Sequence, residues 1–339
     1  MKSIDKKDVL AALKTWATKY HVLCPVNKTN GDCIFDCLGE DKVTLDYGKP
    51  SLAPKSALFP QSEIIFEVKD DQYHEVISSQ NTILFGIRAC DMMGILQSSS
   101  FMARDNSDVY YRAKADVTIK VVMACKGPQN ETCFCTTTDS GPFATDGFDL
   151  QFFDMGERFL VEIGSKKGKE LVSGDLFIDV KDEEVKEGIA AFKEKAAQSI
   201  PRVNEIEKVA GMMKNGAIDD EKWEEFGKKC IACGGCVFVC PTCTCFNVYD
   251  LAMGDSGVRI RGWDTCLYGG FTREASMHNP RPTQGLRLKR RYEHKLKDYN
   301  EKDLLGGLFT CVGCGRCSDV CPVGIGILDV AKAIIEDYK

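Results

Sequence analysis

The chain has 339 residues, with 44 Lys and Arg against 50 Asp and Glu for a net charge of −6, and it carries eighteen cysteines. That length allows two or three domains with separate cores, and the mild acidity argues against a nucleic-acid binder held by phosphate neutralisation. An ordinary apolar fraction of 44% and an opening stretch with no apolar signal core argue against a small secreted disulfide scaffold. The thiols are therefore expected in a reducing cytoplasm, many of them as metal ligands.

In chain order, Val9, Leu10, Leu13, Trp16, Ala17 and Tyr20 recur at helical spacing and predict an amphipathic, core-facing helix over 5–20. Strand character follows at 21–26, 33–38 and 43–47, separated by Asn, Gly and Asp turn signals. Cys24, Cys33 and Cys37 show no recurring ligand spacing there and read as small buried hydrophobes. Pro54 and Pro60 mark a loop feeding an alternating strand that ends near Val68. Residues 82–87 form a compact apolar strand, a helix begins at Asp91, 117–124 is a second apolar strand, and 148–153 with 158–163 reads as a hairpin. Strands alternating with helices predict an α/β layer with a partly parallel sheet. The charged, helix-forming stretch 182–216 carries the chain out of this first domain, 1–216. A short helix from Asp219 to Lys228 and Lys229 then leads into the second, 217–339. The longest apolar runs, such as 121–124 and 237–239, fall far short of the roughly 18–20 residues of a membrane span. Membrane contact is expected only through a partner.

Two stretches space their cysteines as C-x2-C-x2-C-x3-C-P: Cys230, Cys233, Cys236 and Cys240 before Pro241, and Cys311, Cys314, Cys317 and Cys321 before Pro322. This is the two-cluster ferredoxin pattern, in which three thiolates of a run hold one cubane and the fourth ligates the other. One [4Fe-4S] cluster is thus expected on Cys230, Cys233, Cys236 and Cys321, and a second on Cys311, Cys314, Cys317 and Cys240. Zinc sites use paired C-x2-C knuckles and have no role for a third cysteine followed by Cys-Pro. The 70 residues between the loops, 241–310, are a long insertion. Within it Cys243, Cys245 and Cys266 are one short of a ligand set. Packed thiols beneath the second cubane are the preferred reading, and ligands of a further centre the alternative.

Upstream, Cys90 and Cys125 each follow an apolar strand, and Cys133 and Cys135 lie on the loop after Cys125. If the two strands are parallel neighbours, these thiols converge on the carboxyl edge of the sheet, where α/β proteins put their ligands. A third cluster is expected there, with buried, metal-free thiols as the alternative. Arg281, Arg287, Lys289, Arg290, Arg291, Lys295 and Lys297 form a basic run with only Glu293 against it. It reads as a solvated helix face or as a docking surface for an acidic partner. No glycine-rich nucleotide fingerprint, paired-histidine metal spacing or nucleophile elbow is present.

Taken together, GIRACD at 86–91, the C-x7-C-F-C spacing at 125–135, CPTCTCF at 240–246, WDTC at 263–266, HNPRPT at 278–283 and CVGCGRCSDVCP at 311–322 resemble one family. It comprises the dicluster electron-transfer subunit of anaerobic sulfite reductase and the sulfhydrogenase beta subunit, with related iron–sulfur subunits of flavin oxidoreductases coupled to heterodisulfide reductase. The likeness runs from about residue 50 to the end. It implies a cytoplasmic electron-transfer subunit passing single electrons between a flavin subunit that oxidises NAD(P)H, or a ferredoxin, and a catalytic reductase or hydrogenase subunit. It also implies ligand roles for Cys90, Cys125, Cys133 and Cys135, and its pattern includes Cys243, Cys245 and Cys266. The expected fold is an α/β N-terminal domain followed by an α+β, ferredoxin-like domain with two [4Fe-4S] clusters. The readings from other classes are a flavin-binding oxidoreductase subunit with its own substrate site in the N-terminal domain, and a zinc-binding assembly protein.

Overall fold

A computed structural model describes residues 1–39, 43–70, 72–297 and 309–338. Strand β1 (Lys2–Asp5) and a 3-10 turn precede α1 (Val9–Ala17), which buries Val9, Ala12, Leu13 and Trp16. Leu10, expected on that stripe, is exposed because it lies off the i, i+3, i+4, i+7 face that meets the sheet. β2 (His21–Asn27) and β3 (Cys33–Cys37) form an antiparallel pair. The expected strand at 43–47 supplies only an isolated bridge, Val26 to Val43. Of the three cysteines expected to be buried here, Cys24 is, Cys33 is half-buried and Cys37 is exposed beside His21.

β4 (Ser62–Lys69) and β5 (Gln72–Glu75) come next, then β6 (Thr82–Ile87), α2 (Ala89–Met102), α3 (Val109–Val117) and β7 (Thr118–Met123). β8 (Leu150–Asp154), β9 (Arg158–Ile163), α4 (Lys166–Leu171), β10 (Ile178–Asp179) and α5 (Asp182–Ser199) follow. The main sheet runs β10-β1-β9-β8-β7-β6-β2-β3, with β2, β6, β7 and β8 mutually parallel. Its alternate side chains feed two cores. Ile83, Phe85 and Val121 pack with Trp16 of α1, while Leu84, Ile87 and Val122 pack with Met92 and Ile95 of α2. All six residues of β6 are buried, as a strand covered on both faces requires.

The C-terminal half contains α6 (Asn204–Lys214), α7 (Asp220–Lys229), α8 (Gly235–Phe238), β11 (Phe246–Met253), β12 (Ser256–Trp263), α9 (Gly269–Thr272), α10 (Gln284–Leu296), α11 (Arg316–Asp319) and α12 (Ile327–Asp337). Ile206, Val209 and Met213 of α6 share one core with Trp223 of α7, Tyr292 of α10 and Ile334 of α12. The change of core therefore falls between α5 and α6, ahead of the position near 216 that composition suggested. The two helices look alike in charge, and only the apolar stripe of α6 commits it to α12.

The insertion folds back across the chain. Its hairpin β11-β12 pairs with β4, giving a second sheet in the order β11-β12-β4-β5. Buried Arg261 of β12 fixes this union through ion pairs to Glu63 on β4 and Asp108 at the start of α3. Among the described residues, no helix is long and apolar enough to cross a membrane.

Candidate metal centres

The two cysteine runs adopt the same local geometry. In each, a residue with left-handed backbone follows the first cysteine, Ala232 at φ 53° and Gly313 at φ 58°. Its amide points at the preceding sulfur: Ala232 N donates to Cys230 Sγ at 3.4 Å, and Gly313 N to Cys311 Sγ at 3.5 Å. A second left-handed residue, Gly234 or Gly315, then opens the short helix α8 or α11. After the last cysteine of the second run, Ile325 N donates to Cys321 Sγ at 3.3 Å and Ile327 N to Cys317 Sγ at 3.5 Å. Such donors favour thiolate over thiol and help set a cluster's potential.

Cys230, Cys233, Cys236 and Cys321 line a single pocket, closed by Leu267, Leu288 and Ile325. Cys311, Cys314, Cys317 and Cys240 lie within electrostatic reach of one another. Cys321 thus stands with the thiols of the first run and Cys240 with those of the second, and Cys317 stands next to Cys236 where the two groups meet. Burial pushes the thiols of Cys236 and Cys314 up to about 11. Bare thiols there are protonated at neutral pH, and metal binding has to release those protons. Among the described residues no three Cys, His, Asp or Glu side chains close around a single ion. A cubane, ligated through separate irons, instead needs its sulfurs spread about a cage.

The upstream thiols also come together. β6 and β7 are parallel neighbours, so Cys90 and Cys125 reach the same sheet edge. Cys90 lies in the first turn of α2, which begins at Ala89 and not at the expected Asp91. Cys135 is within electrostatic reach of Cys125, Cys133 and Cys314, and Cys90 of Cys135 and Cys314. Burial dominates at Cys90, Cys125 and Cys135 and raises all three.

The loop carrying Cys133 and Cys135 is fastened to the second cysteine run. Phe134 N donates to Gly313 O at 2.8 Å, Lys49 Nζ donates to Cys314 O at 2.7 Å, and Thr132 Oγ1 donates to Asp319 at 2.7 Å. The approach leaves no room for a side chain, since a Cβ on Gly313 would stand 2.5 Å from Phe134 O. Gly313→Ala is therefore expected to lose about 1–3 kcal/mol in denaturant unfolding of the iron-loaded chain. A change under about 0.5 kcal/mol would show that this junction is loose.

Among the described residues, five buried cations, Lys55, Arg88, Arg291, Lys295 and Arg316, surround these thiols, against one buried carboxylate near them, Asp91. Arg291 and Lys295 of the basic run are turned inward, while Arg281, Arg287, Lys289, Arg290 and Lys297 are half-buried. Arg291 Nη2 donates to Cys236 O at 3.0 Å, and Lys295 Nζ donates to Thr242 O and Oγ1 at 3.1 and 2.7 Å. Lys289 pairs with Asp220, Arg290 and Lys297 pair with Glu293, and Arg287 holds the carbonyls of Leu267, Arg281 and Pro282.

Arg88 Nε, Arg291 Nε and Arg291 Nη1 are buried with no partner among the described residues. Buried cations and orphaned donors are costly unless anions face them, so thiolate-bound clusters fit this setting. The sequence reading missed these roles. The available signal was a basic residue beside each cysteine motif, as in Arg88 before Cys90 and Arg316 before Cys317. Lys295 also reaches Cys240 through Thr242, whose Oγ1 lies 3.3 Å from Cys240 Sγ. Lys295→Met is expected to lower the potential of the cluster on Cys240 by on the order of 60 mV, one tenfold step for a single electron. Voltammetry checks this, and an unchanged or raised potential would show that the ammonium is not felt there.

A family model described as a 4Fe-4S dicluster domain matches residues 229–325, which span both cysteine runs. Over 299 residues, 87% of this chain and 86% of the relative, the sequence is 32% identical to sulfhydrogenase 2 subunit beta of Pyrococcus furiosus. The chain belongs to the sulfhydrogenase beta-subunit family of 4Fe-4S proteins. Another relative, F420-dependent formate dehydrogenase subunit beta of Methanocaldococcus jannaschii, is 24% identical over 176 residues, 49% of this chain and 35% of that protein. No solved structure matches. Membership accounts for the paired cysteine runs and for [4Fe-4S] clusters as the chemistry of the C-terminal half. The thiols of Cys90, Cys125, Cys133 and Cys135 lie outside the matched domain model.

Proposed function

We propose that this chain is the electron-transfer subunit of a multisubunit oxidoreductase, relaying single electrons between a partner that oxidises NAD(P)H at a flavin, or a ferredoxin, and a catalytic reductase or hydrogenase subunit. In this reading Cys230, Cys233, Cys236 and Cys321 hold one cubane, Cys311, Cys314, Cys317 and Cys240 a second, and Cys90, Cys125, Cys133 and Cys135 a third. When bound, each cluster takes up and returns one electron at a time. The carrying observation is the adjacency of the three thiol groups, with Cys236 beside Cys317 and Cys314 beside Cys90 and Cys135.

The protein's own part is to fix the thiolates, keep water from them and supply compensating charge. Cys233 is exposed while Cys314, Cys125 and Cys135 are buried, so the first group opens outward and the other two lie within. The carboxyl edge of β6 and β7, where an α/β sheet takes its ligand, carries Arg88, Cys90 and Cys125. This favours a cluster there over a flavin.

The test is anaerobic purification with iron, sulfide and flavin analysis and identification of copurifying subunits. At least about twelve irons per chain, with about four fewer in Cys125→Ala, is the expected result. Equal iron in both would remove the third cluster. Flavin retained by the isolated chain would replace this reading with that of a flavin oxidoreductase subunit.

A further inference from the structure

We infer that Cys243, Cys245 and Cys266 hold a further iron–sulfur cluster, one iron of which lacks a protein thiolate and faces a cavity that accepts a small anion. All three thiols line one cavity of about 320 Å³, far larger than a single ion needs and within the range of small-molecule sites. Cys243 and Cys245 lie on the chain leaving the first cysteine run. The β11-β12 hairpin then folds the chain back, so that Asp264 N donates to Cys245 O at 3.0 Å and Cys266 is brought close to Cys245. Cys243 lies close to Cys240, which sets this group directly against the second cubane's ligands.

The walls argue for an anion. Among the described residues they include Arg281, Arg291 and Lys295 and no carboxylate. Arg291 is 2% and Lys295 4% exposed, and Arg291 Nε and Nη1 and Arg281 Nε have no partner among the described residues. Lys55 Nζ adds a bond of 3.0 Å to Cys243 O. Thiols kept only as small apolar filler do not call for buried, unsatisfied guanidinium groups around an open space. A thiolate-ligated cluster supplies the missing negative charge and the acceptors. Among the described residues the cavity has no fourth thiol. His294, Phe101, Phe246, Phe271 and Phe309 make up much of the remaining wall, so the fourth iron has no thiolate and is open to an exogenous ligand, a small oxygen or sulfur anion. This site departs from the preference for packed thiols that spacing alone supported.

The site is independent of the one on Cys90, Cys125, Cys133 and Cys135, and two variants separate them. The full chain, purified anaerobically, is treated with ferricyanide. A [4Fe-4S] cluster with an open iron gives one electron to the oxidant and releases one ferrous ion, leaving a [3Fe-4S] centre visible by electron paramagnetic resonance. The wild-type chain and Cys125→Ala are expected to show this signal and this iron release. Cys266→Ala is expected to show neither and to contain about four fewer irons than the wild type. Cys245→Ser, which keeps the side-chain size, is expected to behave as Cys266→Ala does while retaining the signals of the two ferredoxin cubanes. Cyanide should shift the reduced spectrum of the wild type and of Cys125→Ala only.

A wild-type chain inert to ferricyanide overturns the proposal without recourse to any variant, as does Cys266→Ala with undiminished iron and the oxidised signal intact. Iron unchanged in Cys125→Ala but lost in Cys266→Ala would sink the site at Cys125 and sustain this one.

Discussion

Cys240→Ala is expected to lose the cubane built mainly from Cys311, Cys314 and Cys317, not the one built from the three cysteines that precede it in sequence. Cys240 stands within reach of Cys311 and Cys314, whereas the pocket of Cys230, Cys233 and Cys236 is completed by Cys321. Iron should fall by about four per chain, and the surviving spectrum should be the one that disappears in Cys321→Ala. Transfer through the chain suffers more than in any other single loss. Cys317 neighbours Cys236, Cys314 neighbours Cys90 and Cys135, and Cys240 neighbours Cys243, so this group is the junction of all the others. Its removal should slow reduction of the inner centres by a donor acting at Cys233 by more than the roughly 10- to 100-fold that loss of an outer hydrogen-bond partner of a metal ligand costs. Stopped-flow reduction measures this, beside the iron count. If Cys240→Ala instead loses the cubane of Cys230 to Cys236, the ligand partition is wrong.

What could be read from residues alone was local in origin. The cysteine spacings carry their own geometry, because a three-residue step with a left-handed residue in it turns successive sulfurs toward one point. The parallel pairing of 82–87 with 117–124 was legible from two apolar runs with helical sequence between them, and it brought Cys90 and Cys125 to one edge. Long-range pairing was not legible. Nothing in 246–263 announces that this hairpin will join β4, since the bond is made by Arg261 with Glu63 and Asp108, each ordinary in its own stretch. The short strands β1, β5 and β10 escaped because strands of two to four residues carry too few side chains for a period. The burial of Arg291 and Lys295 was not legible, because helical spacing shows which residues share a face, but not whether that face meets solvent or buried thiols.

The buried ion pair between Arg316 and Asp91 carries the second large effect. Both side chains are almost wholly enclosed, and they meet in a two-pronged arrangement with Nη1 to Oδ1 at 2.6 Å and Nη2 to Oδ2 at 3.1 Å. Arg316 Nε also donates to Pro50 O at 2.8 Å. The pair lies between Cys314 and Cys90, at the seam of the second and third thiol groups. Removing one partner of a buried pair costs about 3–5 kcal/mol, because the other charge is left uncompensated. Here the two losses are unequal. Asp91→Asn leaves a cation among thiolates, which compensate it, and belongs at or below the lower end of that range. Arg316→Met leaves a carboxylate facing thiolates on both sides and belongs at the upper end. The potentials of the flanking clusters should also move oppositely, upward in Asp91→Asn and downward in Arg316→Met, because added negative charge disfavours the reduced state. Joining the two changes removes both buried charges, so the double variant should recover part of the stability lost in Arg316→Met. Denaturant unfolding of the iron-loaded proteins and voltammetry on the same samples decide it. Equal destabilisation by the two single variants, or a double variant less stable than Arg316→Met, would show that the surrounding thiols do not carry the negative charge assigned to them.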